Sequence, residues 1–100
     1  MYNTFEVLNG LPTISKDPDE TLDYTFDWTD FLATASDTVV SVVWTLSVGL
    51  TLGAVSFNAT GARVFVSGGR LGATETIACK ITTAGGRIAE RTVYLKMETL

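Results

Sequence analysis

Apolar and polar residues alternate along much of this chain with a period of two. Leu22, Tyr24, Phe26 and Trp28 are separated by Asp23, Thr25 and Asp27, the pattern of a strand with one buried face. After Asp37, TVVSVVWTL places Val40, Val42, Trp44 and Leu46 on one face. Val39 and Val43 on the other face predict a strand that is central or covered on both sides. LTLGAVSF, residues 50–57, reads as a further strand in which Gly53 marks a bulge. In ARVFVS (62–67) Val64 and Val66 oppose Phe65, and TETIACKITT (74–83) and IAERTVYLKM (88–97) are the last two strands. No long window carries a 3.6-residue period, and TDFLATASD is too short and polar for more than one helical turn.

The last two strands fix their own turn. Ile77, Cys79 and Ile81 share a face, as do Val93, Leu95 and Met97. A two-residue loop at Gly85-Gly86 would put Ile77 opposite Tyr94 and turn the two apolar sets to opposite sides of the sheet. One step of register flips the faces, so the loop has an odd length. The prediction is a three-residue loop, Ala84-Gly85-Gly86, with Gly86 left-handed in a bulge. It pairs Ile77 with Val93 and Lys80 with Glu90.

Short strands with turns about every 8–12 residues predict an all-β fold, an immunoglobulin-like antiparallel β-sandwich of about seven short strands. Residues 1–15 read as an N-terminal arm or first edge strand, and residues 16–100 as the sandwich domain. Trp28 and Trp44 are the expected core anchors, because the single Cys79 leaves no internal disulfide.

Composition narrows the chemistry. One hundred residues with 46% apolar and 18% charged side chains make one folded domain. With no His and one Cys, zinc sites and Ser/His or Cys/His nucleophile pairs are excluded. A net charge of −4 argues against nucleic acid, which needs a basic surface. No apolar run reaches the roughly 20 residues of a membrane span, so no membrane partner is expected. MYNTFEVLNG lacks the basic and apolar regions of a cleaved signal, which points to synthesis in a cytosol.

Charge is unevenly placed. Residues 1–37 hold eight acids and one Lys, whereas residues 38–100 hold six bases and three acids. The two groups can face each other inside one fold, or give the molecule two complementary sides. Asp17, Asp19, Glu20, Asp23 and Asp27 are the acidic interface candidates, and Arg63, Arg70, Arg87 and Arg91 the basic ones, since Arg bonds carboxylates bidentately at interfaces.

The cluster KDPDETLDYTFDW, residues 16–28, has three readings. Its carboxylates offer oxygens to calcium, but the EF-hand glycine and closing Glu are missing. Asp23 and Asp27 share a strand face, without an evident cleft for paired-acid catalysis. The third reading is a turn at Asp17-Pro18-Asp19 followed by a strand with its acids in water, and this is the expected one. Tyr24, Phe26, Trp28, Trp44, Phe57 and Phe65 are read as core more than as a sugar platform, and Cys79 as a small core residue. The Gly-rich SGGRLG and TAGGR match no phosphate loop. No catalytic, metal or cofactor residue is assigned.

Lys16-Asp17-Pro18-Asp19-Glu20 with Leu22-Asp23-Tyr24 and Asp27-Trp28, a central strand with a Trp, SGG, and Thr82-Thr83-Ala84-Gly85-Gly86-Arg87 with Glu90-Arg91 together resemble the phage fibre-tail adaptor family. The likeness runs from about Lys16 to Met97. It implies an immunoglobulin-like virion protein without catalysis or cofactor, assembled in the bacterial host cytoplasm, which contacts other tail, neck or fibre proteins. A homo-oligomeric ring in the particle is expected, with acidic and basic edges meeting head to tail and residues 1–15 adding to a neighbour's sheet. Capsid decoration, a head-tail connector role, and a carbohydrate-binding module for host attachment are the alternatives.

Overall fold

The computed structural model describes residues 4–6 and 13–100. Along the chain lie β1 (Thr4–Glu6), β2 (Thr13–Lys16), β3 (Leu22–Asp27), α1 (Thr29–Ala33), β4 (Val39–Leu46), β5 (Leu50–Phe57), β6 (Gly61–Gly68), β7 (Thr74–Thr83) and β8 (Ile88–Met97). The strands form two four-stranded sheets, ordered β1-β3-β6-β5 and β2-β8-β7-β4. The fold is the expected all-β sandwich. Among the described residues it holds eight strands where about seven were expected, because the N-terminal segment supplies two.

Those two strands also depart from an all-antiparallel pattern. β1 runs parallel to β3 and β2 runs parallel to β8. They lie in different sheets, so neither can be the hairpin partner of its neighbour in sequence. Of the expected arm 1–15, the stretches 1–3 and 7–12 lie outside the described residues. Thr4–Glu6 and Thr13–Lys16 pair within their own chain.

The period of two builds the core. Tyr24 and Phe26 on β3, Val64 and Val66 on β6, Ile77, Cys79 and Ile81 on β7, and Val93, Leu95 and Met97 on β8 are all buried. A large apolar side chain buried in this way contributes roughly 1.5–3 kcal/mol. Trp28 has no exposed surface, and Leu32 from the single-turn α1 is 2% exposed. Trp44 is only partly buried and meets Phe26 edge-on at 5.6 Å.

The β7–β8 turn follows the parity argument. Ile77 faces Val93 and Lys80 faces Glu90. The Gly86 N–H donates to Thr83 O at 3.0 Å and the Thr83 N–H to Arg87 O at 2.9 Å. Gly86 sits at φ +85°, the left-handed conformation that glycine adopts without a Cβ clash.

One strand expectation is overturned. β4 is neither central nor covered on both sides: it is the edge of its sheet, with Val40 50% and Val43 60% exposed. The pairing skips from Val39↔Thr83 to Ser41↔Thr82, so Val40 is an extra residue in a bulge. Val39 therefore turns inward and Val40 outward, opposite to a simple alternation. The bulge expected at Gly53 is present, between the pairs Leu52↔Val66 and Val55↔Val64. A Cβ on Gly53 would stand 2.9 Å from Phe65 O, too close for any other residue without a shift of backbone.

Candidate interaction surface

The acidic turn spends much of its hydrogen bonding on its own backbone. The Glu20 N–H donates to Asp17 O at 2.9 Å, closing a turn around Pro18. Asp17 Oδ1 accepts from the Asp19 N–H at 2.9 Å, and Glu20 Oε1 from the Asp17 N–H at 3.1 Å. Asp17 Oδ2 accepts from the Leu100 N–H at 3.0 Å. The Asp19 and Leu100 amides hold the Asp17 carboxyl below the ordinary carboxylate range. Among the described residues no three His, Cys, Asp or Glu side chains gather as a metal-binding group.

Lys16, at the head of this turn, has no exposed surface. Its Nζ donates to Gly68 O at 2.7 Å and to Asp17 O at 3.0 Å, tying the turn to the end of β6. Burial lowers its pKa, with Glu20 the largest opposing influence.

The arginines are more engaged than the sequence indicated. Arg70 Nε lies 3.1 Å from Glu75 Oε2 and its second guanidinium nitrogen 3.2 Å from Oε1. Glu75 is fully buried and also accepts from Ser47 Oγ at 2.7 Å and from the Arg70 N–H at 3.0 Å. Arg87 Nε reaches Asp37 Oδ2 at 3.2 Å, and its guanidinium stacks 4.4 Å from the Phe31 ring centre. Asp37 Oδ1 takes the N–H groups of Thr38 and Gly85, both at 2.9 Å. Arg91 lies 5.5 Å from the Trp28 ring centre and 5.9 Å from that of Phe31.

Both carboxylates are strongly acidified. Arg70, with lesser help from Ser47, holds Glu75 down at about 2 against the opposing effect of burial. For Asp37, also at about 2, the Thr83 hydroxyl is the largest influence, followed by the Gly85 and Thr38 amides and Arg87. Glu75 and Asp37 are the polar residues that sequence reasoning passed over. Glu75 carried a signal, since it shares parity with the inward Ile77, Cys79 and Ile81.

Arg63 and Asp23 pair loosely at 3.7 Å. Two of the pairs, Asp23–Arg63 and Asp37–Arg87, join the acidic first third to the basic remainder within one chain. Asp19, Arg63 and Arg70 are exposed residues, while Asp17, Glu20, Asp23, Asp27, Arg87 and Arg91 are half-buried.

The structure brings Asp27 and Arg63 together. They line a surface hollow of about 530 Å³ with Thr25, Ser56, Phe57 and Asn58. Asp27 Oδ1 accepts from the Thr29 N–H at 3.0 Å, and Thr25 Oγ1 is shut away from solvent without a partner among the described residues. The hollow presents mixed charge and hydroxyls. Tyr24, Phe26 and Trp28 are buried, so they form no exposed aromatic row, but Phe57 departs from its core reading and is 49% exposed.

The family model described as podophage GP4 fiber-tail adaptor protein gp77 matches residues 16–96. The chain belongs to that family. No curated protein matches it. Family membership makes it a structural component of the phage particle that binds other tail or fibre proteins. The matched span begins at Lys16, the buried lysine of the acidic turn, and covers both carboxylate–arginine networks. In this adaptor-family chain the motifs that carried the resemblance are thus fold-holding devices: the KDPDE turn closes on its own amides, and AGGR forms the β7–β8 bulge and docks on Asp37.

Proposed function

We propose that this protein seats a fibre on the tail of a podophage particle as a non-enzymatic adaptor, in several copies arranged as a ring. The family match over residues 16–96 carries the reading. The strand orders β1-β3-β6-β5 and β2-β8-β7-β4 support an immunoglobulin type: named A, B, E, D and C, F, G in chain order, seven of the strands fall in the constant-type arrangement, with β2 added beside G.

The exposed charges left over by the internal pairs are the contact groups for other virion proteins. Asp19 and Asp30 are exposed, as is Arg63 with its loose partner. Contacts of this kind are weak singly and become durable through many copies. Arg70 and Arg87 serve this role less well, because their guanidinium groups are committed to Glu75 and Asp37.

The test is capture of fibre and tail proteins on the purified adaptor at low and high salt, with particles lacking the adaptor imaged in parallel. Retained fibres on such particles would refute the reading. Salt-sensitive capture, lost in Arg63→Glu, is the expected result.

A further inference from the structure

Between Asp37 and Arg63 no residue carries a charge. This stretch builds one whole flank of the molecule, because β4 and β5 are the edge strands of the two sheets and follow each other in the chain. Edge strands are ordinarily protected from pairing by charged side chains or proline. Neither is present here, and the two bulges are the sole such device.

The flank is also where the core is left uncovered. Leu52, Val55 and Phe57 stand opposite Val66, Val64 and Ala62, which are buried. Cross-strand partners share a face, so all three β5 residues point inward, yet they are 50%, 50% and 49% exposed. Every residue from Thr51 to Thr60 is exposed. Across the gap, Val42, Trp44 and Leu46 face Ile81, Cys79 and Ile77 on β7 and are only partly buried. Among the described residues, six of the nine exposed large apolar side chains (Val40, Val43, Val48, Leu52, Val55 and Phe57) lie on this flank, the others being Leu71, Ile88 and Leu100. The open inner edge, where exposed Leu52, Val55 and Phe57 face partly buried Val42, Trp44 and Leu46, is the kind of apolar surface that marks an interaction site.

We infer that this flank is a self-association surface whose occupant is the same flank of a second copy of the chain. Charge selects the occupant. The net charge of −4 lies wholly outside residues 38–62, so copies meeting flank to flank keep their charged groups apart. A charged partner surface would lose hydration here and gain no counter-charge. A two-fold contact needs a self-complementary patch, and an uncharged apolar strand edge meets that condition. β5 pairing with its copy would join the two four-stranded sheets into one. The Gly53 bulge bends the strand, which leaves residues 54–57 as the straight segment for pairing, with Val55 and Phe57 of each copy over the open core.

This goes beyond the adaptor reading and does not depend on it. The experiment is the mass of the purified chain by light scattering at low and high salt, for the wild type, Val55→Glu, Phe57→Glu and the control Ala84→Glu on the far hairpin. The expected wild-type and control mass is twice that of one chain and persists at high salt, because the contact is apolar. Val55→Glu and Phe57→Glu halve it while keeping the wild-type β-sheet circular dichroism. If either variant loses that signal, Ser56→Lys serves as the alternative edge variant with the same expected halving. A wild-type monomer at the highest soluble concentration overturns the inference. So does a dimer that survives the folded flank variants or dissolves in salt. Salt-sensitive capture of tail proteins can succeed or fail independently of all these outcomes.

Discussion

Arg70 Nε lies 3.1 Å from Glu75 Oε2, and the Glu75 side chain has no exposed surface. An exposed arginine thereby holds a buried carboxylate in its ionised form, with Ser47 Oγ and the Arg70 amide completing the shell. A buried charge is tolerated when it is paired and hydrogen-bonded. The pair joins the β6–β7 turn to the β4–β5 turn, because the Thr76 N–H donates to the same Ser47 Oγ at 3.0 Å.

Acid is predicted to unfold the protein through Glu75 and Asp37. Each folded-state pKa is near 2, below the ordinary 4.5 and 3.8, so protons bind more tightly to the unfolded chain. The stability they confer is complete above about pH 5 and falls as pH drops from there toward 2. Urea midpoints measured between pH 7 and pH 2 should stay level and then decline. Glu75→Gln and Asp37→Asn should each flatten the decline, and an unchanged slope in both would refute the assignment. With no His in the chain, no step is expected between pH 6 and 7.

Charge reversal of Arg70 and Arg87 is predicted to destabilise the monomer. Arg70→Glu places a second carboxylate against buried Glu75, and Arg87→Glu does the same to Asp37. Removing one partner of a buried pair leaves an uncompensated charge. The thermal midpoint of the double variant should fall far more than that of Arg63→Glu, whose partner lies 3.7 Å away. Equal midpoints would show that both networks are dispensable.

Gly86→Ala is predicted to cost about 1–2 kcal/mol, the penalty for an L-residue in the left-handed region. Nothing lies within 4 Å of a Cβ placed there, so the loss would come from backbone conformation alone. Gly86→Asn, which tolerates that conformation better, should lose less. Urea denaturation of the two variants checks the order.

Cys79 is predicted to resist thiol reagents in the folded protein. It is fully buried, and burial pushes its thiol up to about 12, with the Trp28 indole as a smaller opposing influence. The thiolate is the reactive form. Labelling at pH 8 should follow the unfolded fraction across a urea titration, and prompt labelling without urea would contradict the burial.

Much of the sandwich was legible because the period of two is local. The strand from Leu22, the β7–β8 register and the left-handed Gly86 all follow from parity and turn chemistry over a few residues. What stayed hidden depends on distant partners. The alternation in TVVSVVWTL does not say whether another strand lies beside it, so β4 read as central or covered on both sides, and one bulged residue at Val40 reversed the phase ahead of Ser41. Which acid each arginine meets stayed hidden because the partners are far apart in sequence, Asp37 lying 50 residues from Arg87. Glu75 carried a flag in its inward parity, but its ion pair needed the β6–β7 turn to return Arg70 beside it.

The parallel pairing of β2 with β8 has a mechanical meaning. Thr13 to Lys16 lie beside Tyr94 to Met97 in the same direction. Tension drawn through the chain ahead of Thr13 and beyond Met97 pulls these neighbours in opposite senses along their length. All the ladder bonds between them are then strained together in shear, whereas a hairpin opened from its end breaks them one at a time. The Glu98 N–H to Lys16 O bond of 2.9 Å, and the Nζ of buried Lys16 on Gly68 O, anchor the same corner. If the protein's attachments lie toward opposite ends of the chain, load falls on this ladder in its shear direction.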